Sequence, residues 1–154
     1  MPSGVLLMSP WLDPEREHPD TAKAWSDADS GDSFDYLRGV EGSLKTVADL
    51  VFGCDVDGVC DESIARCLVR GDVWDDADAD ADAAYPPVFV QYGGAEVLAA
   101  ESRTFARVVN ASRSSMVVEL EEWADMPHVF QVFDAVAAAG GDAIASAAAF
   151  VKRC

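Results

Sequence analysis

The stretch Pro86-Pro87-Val88-Phe89-Val90-Gln91-Tyr92-Gly93-Gly94-Ala95-Glu96 decides the fold class. Val88 to Tyr92 is rich in β-branched and aromatic residues and ends on two glycines, the pattern of a strand closed by a turn. Beyond it, Leu98, Phe105, Val108 and Val109 fall on one helical stripe across roughly 99–110, with Arg103 and Arg107 off it, so a helix follows the strand. Met116, Val118 and Leu120 then alternate with Val117, Glu119 and Glu121, which predicts a second strand with its glutamates toward solvent. Strand, helix, strand in this order indicates an α/β fold with a mainly parallel sheet.

The flanks extend this pattern. Gly4-Val5-Leu6-Leu7-Met8-Ser9 is a short apolar run stopped by Pro10, which predicts a strand buried on both faces. The polar stretch 11–43 reads as loop with short helical pieces, and Leu44, Val47, Ala48, Val51 and Phe52 recur at helical spacing before Gly53. Asp75, Asp76, Asp78, Asp80 and Asp82 alternate with alanine, so 75–84 is expected to be an acidic, low-complexity surface loop. The last predicted helix runs over 132–151, weakened at Gly140-Gly141, where each glycine costs about 1 kcal/mol relative to alanine.

With 28 acidic and 11 basic residues among 154, the formal charge is −17. Such a surface repels phosphate backbones and anionic membranes, so nucleic-acid binding is not expected. No apolar window approaches the ~18 residues of a membrane span, and Val5 to Met8 is too short for a signal-peptide core of about 7–15 residues. The chain as given is therefore expected in the cytoplasm. Cys54, Cys60, Cys67 and Cys154 lack metal-ligand spacing, and the alternating Asp75-to-Asp82 run lacks the turn-forming glycine of a calcium loop. Neither a metal nor an organic cofactor is expected.

His128 lies in the loop Trp123-Ala124-Asp125-Met126-Pro127-His128-Val129-Phe130, and Glu96 just past the Gly93-Gly94 turn. Alone, the first is an ordinary polar loop residue and the second a helix N-terminal acid. Together they are an acid after one strand and a histidine after the next, the order in which α/β-hydrolases present the last two members of a Ser, Asp/Glu, His triad.

Pro86 to Leu98, continued by Glu101-Ser102-Arg103, resembles the acid-bearing segment of the hormone-sensitive-lipase-like carboxylesterases. Met126 to Phe133 resembles their histidine loop, and Leu7-Met8-Ser9-Pro10-Trp11-Leu12-Asp13 resembles the strand end that follows their nucleophile helix. The resemblance implies that Glu96 is the triad acid and His128 the general base. Asp125 and Glu101 rank below Glu96 for the acid, Asp125 as a loop cap and Glu101 as a residue of the following helix.

The family's Gly-x-Ser-x-Gly elbow and HGGG-type oxyanion loop are absent from these 154 residues. Ser33, in Ser30-Gly31-Asp32-Ser33, lacks both the preceding strand and the second glycine. Residues 1–154 are thus expected to be a partial α/β-hydrolase domain, its C-terminal part, with the nucleophile-bearing half absent. A carboxylic ester hydrolase fragment, inactive alone toward small acyl esters, is the leading reading. The strand at 4–9 is then expected to expose an edge prone to self-association or to pairing with a complementing chain. The alternative is a non-catalytic interaction protein that keeps the half-domain as a scaffold, its acidic tract meeting a basic partner.

Overall fold

The computed structural model describes residues 2–14, 16, 18–28, 35–37, 68–70, 85–112 and 115–154. The predicted helix around 44–52, the acidic stretch 75–84, Ser33, Cys54, Cys60 and Cys67 lie outside these. Three strands, β1 (Val5–Met8), β2 (Val88–Gly93) and β3 (Val118–Trp123), form a parallel sheet in the order β1-β2-β3. Val5 is paired with Val88 and Val88 with Val118, so the carboxyl ends of all three strands lie along one edge. In open parallel sheets that edge is where reactive groups collect.

The central strand β2 is buried along its whole length, as its continuous apolar run requires. One of its faces packs Val88, Val90 and Tyr92 into a core with Phe105, Ala106 and Val109 of α2 (Ala99–Ala111) and with Val118. The expected stripe of α2 is thus its buried face, and Arg103 and Arg107 are exposed. Arg103 grips Glu122 through two nitrogens, at 2.7 and 3.0 Å, and Glu122 also accepts from the Tyr92 hydroxyl at 2.8 Å. Burial and this carboxylate push the Tyr92 phenol up to about 12.

The opposite face is covered by α3 (Ala138–Arg153), whose Gly140, Ala143, Ala147 and Phe150 form the buried stripe. Phe89 stacks on Phe150 with ring centroids 5.2 Å apart, and the Gln91 amide donates to Ala143 O at 2.9 Å. A further helix, α1 (Pro19–Asp27), starts with the His18 side chain accepting from Asp20 N and with Pro19 opening the first turn. It buries Trp25 beneath the Arg16 guanidinium, 4.0 Å from the ring centre.

Three expectations are corrected. First, β1 is half-buried along its length rather than buried on both faces, since among the described residues it has a strand neighbour on one side only. Second, the glutamates of β3 do not simply face solvent. Glu119 and Glu121 point to the α3 side, where Arg153 donates to Glu119 at 2.5 Å and where Gln91, Trp123 and Ser146 all donate to Glu121, while Leu120 on the other face is 39% exposed. Third, no helix begins at Val132. A short 3-10 turn at Phe130–Phe133 precedes α3, and Gly140 sits where a Cβ would lie 2.8 Å from Asp134 N, so the glycine permits this close approach. No described helix is long and apolar enough to cross a membrane.

Candidate active site

The turn after β2 and the loop after β3 are laced together by backbone hydrogen bonds. Gly94 N donates to Trp123 O at 2.8 Å and Ala95 N to Met126 O at 3.1 Å. Gly93 makes this possible, because a Cβ there would lie 2.1 Å from Met126 O and 2.6 Å from Pro127 O. Asp125 and Val129, on either side of the Met126-Pro127-His128 corner, both take left-handed backbone, with φ of 61° and 47°. A β-branched residue rarely adopts that conformation, so the loop is bent at a cost that its surroundings must offset.

The lacing brings Glu96 and His128 together. Oε2 of Glu96 lies 3.6 Å from Nδ1 of His128, with the carboxylate side chain fully buried and the imidazole 16% exposed. The same oxygen accepts from the Ser9 hydroxyl at 2.7 Å and faces Gly93 N at 3.4 Å. Ser9 Oγ in turn accepts from Val129 N at 3.0 Å. On the other side, the Tyr36 and His128 rings meet at 66° with their centroids 5.8 Å apart, and Asp35 accepts from Val97 N at 2.7 Å. Burial, then Asp35 and Glu96, push the Tyr36 phenol upward.

At 3.6 Å the Glu96–His128 contact is an ion-pair distance, a few tenths of an ångström longer than a hydrogen bond. Catalytic contacts are often this long without substrate and tighten when it binds. A carboxylate that accepts from an imidazole Nδ1–H fixes that tautomer and leaves Nε2 as a base, and here the buried Nδ1 has, among the described residues, no other hydrogen-bond partner to compete with Glu96. Among the described residues no group of His, Cys, Asp and Glu could hold a metal ion.

The other two acids weighed for this position are elsewhere. Asp125 is exposed in the loop. Glu101, on the first turn of α2, is fully buried and accepts from the backbone N–H groups of Leu12 and Asp13 at 2.6 and 2.9 Å, so it anchors the segment after β1. Ser9 was missed as a site residue, although its place was signalled by a polar side chain directly after an apolar run and before Pro10.

The Glu101 anchor predicts a pH dependence. Burial pushes its carboxyl up from 4.5 to about 7, against the opposing pull of the Leu12 and Asp13 amides. The folded chain therefore binds this proton at higher pH than the unfolded chain. Its stabilising contribution is complete below pH 4.5 and is lost as the pH rises through about 7, a difference of roughly 3 kcal/mol. Glu101→Gln keeps an acceptor for both amides and cannot ionise. Urea denaturation across that window is expected to show the parent losing this much stability relative to the variant, and parallel curves would contradict it.

A parallel sheet with helices on both faces, and an acid and a histidine at successive strand ends, define the class: this is the α/β-hydrolase architecture. The resemblance to hormone-sensitive-lipase-family esterases holds in three dimensions. An esterase from the bacterial hormone-sensitive lipase family matches with a TM-score of 0.70 and 25% identity, over 99% of this chain and 44% of its own. A hormone-sensitive lipase from a metagenome library matches with a TM-score of 0.68 and 23% identity, over 99% and 45%. The esterase EstE5, in a crystal soaked with p-nitrophenyl butyrate, gives 0.66 and 22%, over 99% and 44%. The chain thus spans under half the length of these structures, the proportion expected of a C-terminal half. No protein family model matches the sequence, and no curated protein does.

Proposed function

We propose that this chain contributes the acid and the general base of a serine-type carboxylic ester hydrolase. The observation that carries the reading is the convergence of Glu96 Oε2 and His128 Nδ1 to 3.6 Å from the ends of β2 and β3. His128 takes the proton of a serine hydroxyl as it attacks the ester carbonyl, then returns it to the leaving alcohol, while Glu96 stabilises the imidazolium. In this reading the nucleophile and the oxyanion donors lie outside these 154 residues, whose sequence holds neither a Gly-x-Ser-x-Gly elbow nor an HGGG-type loop.

A hybrid tests this directly. Residues 4–154 replace the C-terminal part of a hormone-sensitive-lipase-family esterase that supplies its own serine and oxyanion loop. The hybrid is expected to hydrolyse p-nitrophenyl butyrate, whereas the 154-residue chain alone is expected to do so no faster than buffer. A folded hybrid without turnover, or turnover by the chain alone, would overturn the reading.

A further inference from the structure

We propose that Ser9 is a positioning residue for this acid and base pair, its hydroxyl fixing Glu96 Oε2 against the backbone beside His128 so that the imidazole keeps its proton on Nδ1. The inference rests on the reading of Glu96 and His128 given above, and it assigns a role to the residue that follows a third strand, β1. A hydroxyl can donate once and accept as well, and Ser9 does both here, donating to Glu96 Oε2 at 2.7 Å and accepting from Val129 N at 3.0 Å. One buried oxygen atom thus joins the end of β1 to the acid after β2 and to the residue following the base after β3.

Backbone strain supports this. Ser9 has φ of 46° and Val129 φ of 47°, so both residues joined by the Oγ to N bond occupy the left-handed region. Neither is glycine, asparagine or aspartate, the residues that visit this region readily. Strain of that kind persists where surrounding contacts over-determine the conformation, and it concentrates at functional sites. A serine needed only to fill space after β1 would not require its partner to be bent as well. Ser9 is also 4% exposed, so water does not replace its hydrogen bonds.

The consequence is geometric. Glu96 Oε2 is 3.6 Å from His128 Nδ1, and a modest rotation of the carboxylate away from the ring would leave the imidazole free to choose either tautomer. Ser9 opposes that rotation from the side of the ring's own loop. Among the described residues, the titratable groups facing the pair are Tyr36, its ring at 66° to the imidazole, and Asp35, bound to Val97 N next to Glu96. Neither donates to Glu96 Oε2.

The test uses nitrogen-15 shifts of the His128 ring in the 154-residue chain, in the parent and in Ser9→Gly and Ser9→Ala. Glycine accepts the left-handed backbone without strain, so Ser9→Gly removes the hydroxyl from a chain that still folds, and Ser9→Ala removes it with the strain retained. In the parent the Nδ1–H tautomer is expected to dominate. Losing a hydrogen bond to a charged group is expected to reduce that preference about tenfold in both variants. In the hybrid esterase, Ser9→Gly is expected to lower kcat by about 10²-fold with KM unchanged, the cost of a slightly misplaced catalytic group. Folded variants with the parent's tautomer would overturn the proposal. A tautomer shift in the 154-residue chain, beside a folded hybrid that never hydrolyses ester, would sustain the role of Ser9 in positioning His128 and overturn the esterase reading instead.

Discussion

Alanine at position 128 is expected to lower kcat of the hybrid esterase by about 10⁶-fold, and glutamine at position 96 by about 10⁴-fold, with KM little changed in either case. The order follows from the roles proposed for the two residues. Without His128 no group accepts the serine proton or delivers it to the leaving alcohol, and the covalent route closes. Without the Glu96 charge the imidazole remains, but its tautomer is no longer fixed and the imidazolium in the transition state has no counter-charge. A factor of 10⁶ corresponds to about 8 kcal/mol of transition-state stabilisation. The double variant should lose little more than His128→Ala alone, since residues acting as a unit are not additive. Initial rates with p-nitrophenyl butyrate, on variants checked for native circular dichroism, decide the matter. A loss of less than tenfold in His128→Ala would remove His128 from the chemistry, and Glu96→Gln as damaging as His128→Ala would mean that the carboxylate does more than orient.

Gly93→Ala is the second large effect. The new Cβ would lie 2.1 Å from Met126 O and 2.6 Å from Pro127 O, both backbone atoms of the histidine loop. A flexible side chain could swing aside, but these carbonyls are held, Met126 O by the donated hydrogen bond of Ala95 N. The loop must be displaced by about an ångström or more, and overpacking of that kind costs about 1–3 kcal/mol, occasionally more. Gly141, by contrast, has nothing within 4 Å of a built Cβ. Gly141→Ala should therefore stabilise α3 by up to about 1 kcal/mol. Denaturant midpoints of the two variants, measured side by side, should move in opposite directions. A Gly93→Ala chain as stable as the parent would mean that the two loops are not in contact as described.

How much of this was legible in the sequence varies by element. β2, α2 and β3 were, because a buried parallel strand and a one-sided helix write their burial directly into residue order. That Glu96 and His128 follow successive strands was legible in the residue order. The α1 helix was less so, since its signals are a capping histidine and a proline within a polar stretch that carries no strong apolar stripe. The start of α3 was misread because Val132 and Phe133 suit a helix as well as they suit the 3-10 turn they form. Glu121 was read as a solvent group because alternation reports the face of a strand and not what covers that face. The partners of Ser9 could not be read, because they lie 87 and 120 residues away in the chain.

Those same separations govern the order of assembly. Every strand pairing in the sheet is parallel, so none can form as a local hairpin, and the Ser9 bridge closes only after loops of 87 and 120 residues have been drawn together. Loop-closure entropy must be spent before such contacts reward it, which makes topologies of this kind slow to fold. The β2-α2-β3 unit, with its shorter connections, can collapse first and already places Glu96 and His128 near each other. Ser9 can join that unit only when β1 docks on β2, so its hydroxyl bridge to Glu96 and Val129 depends on the longest-range pairing in the sheet.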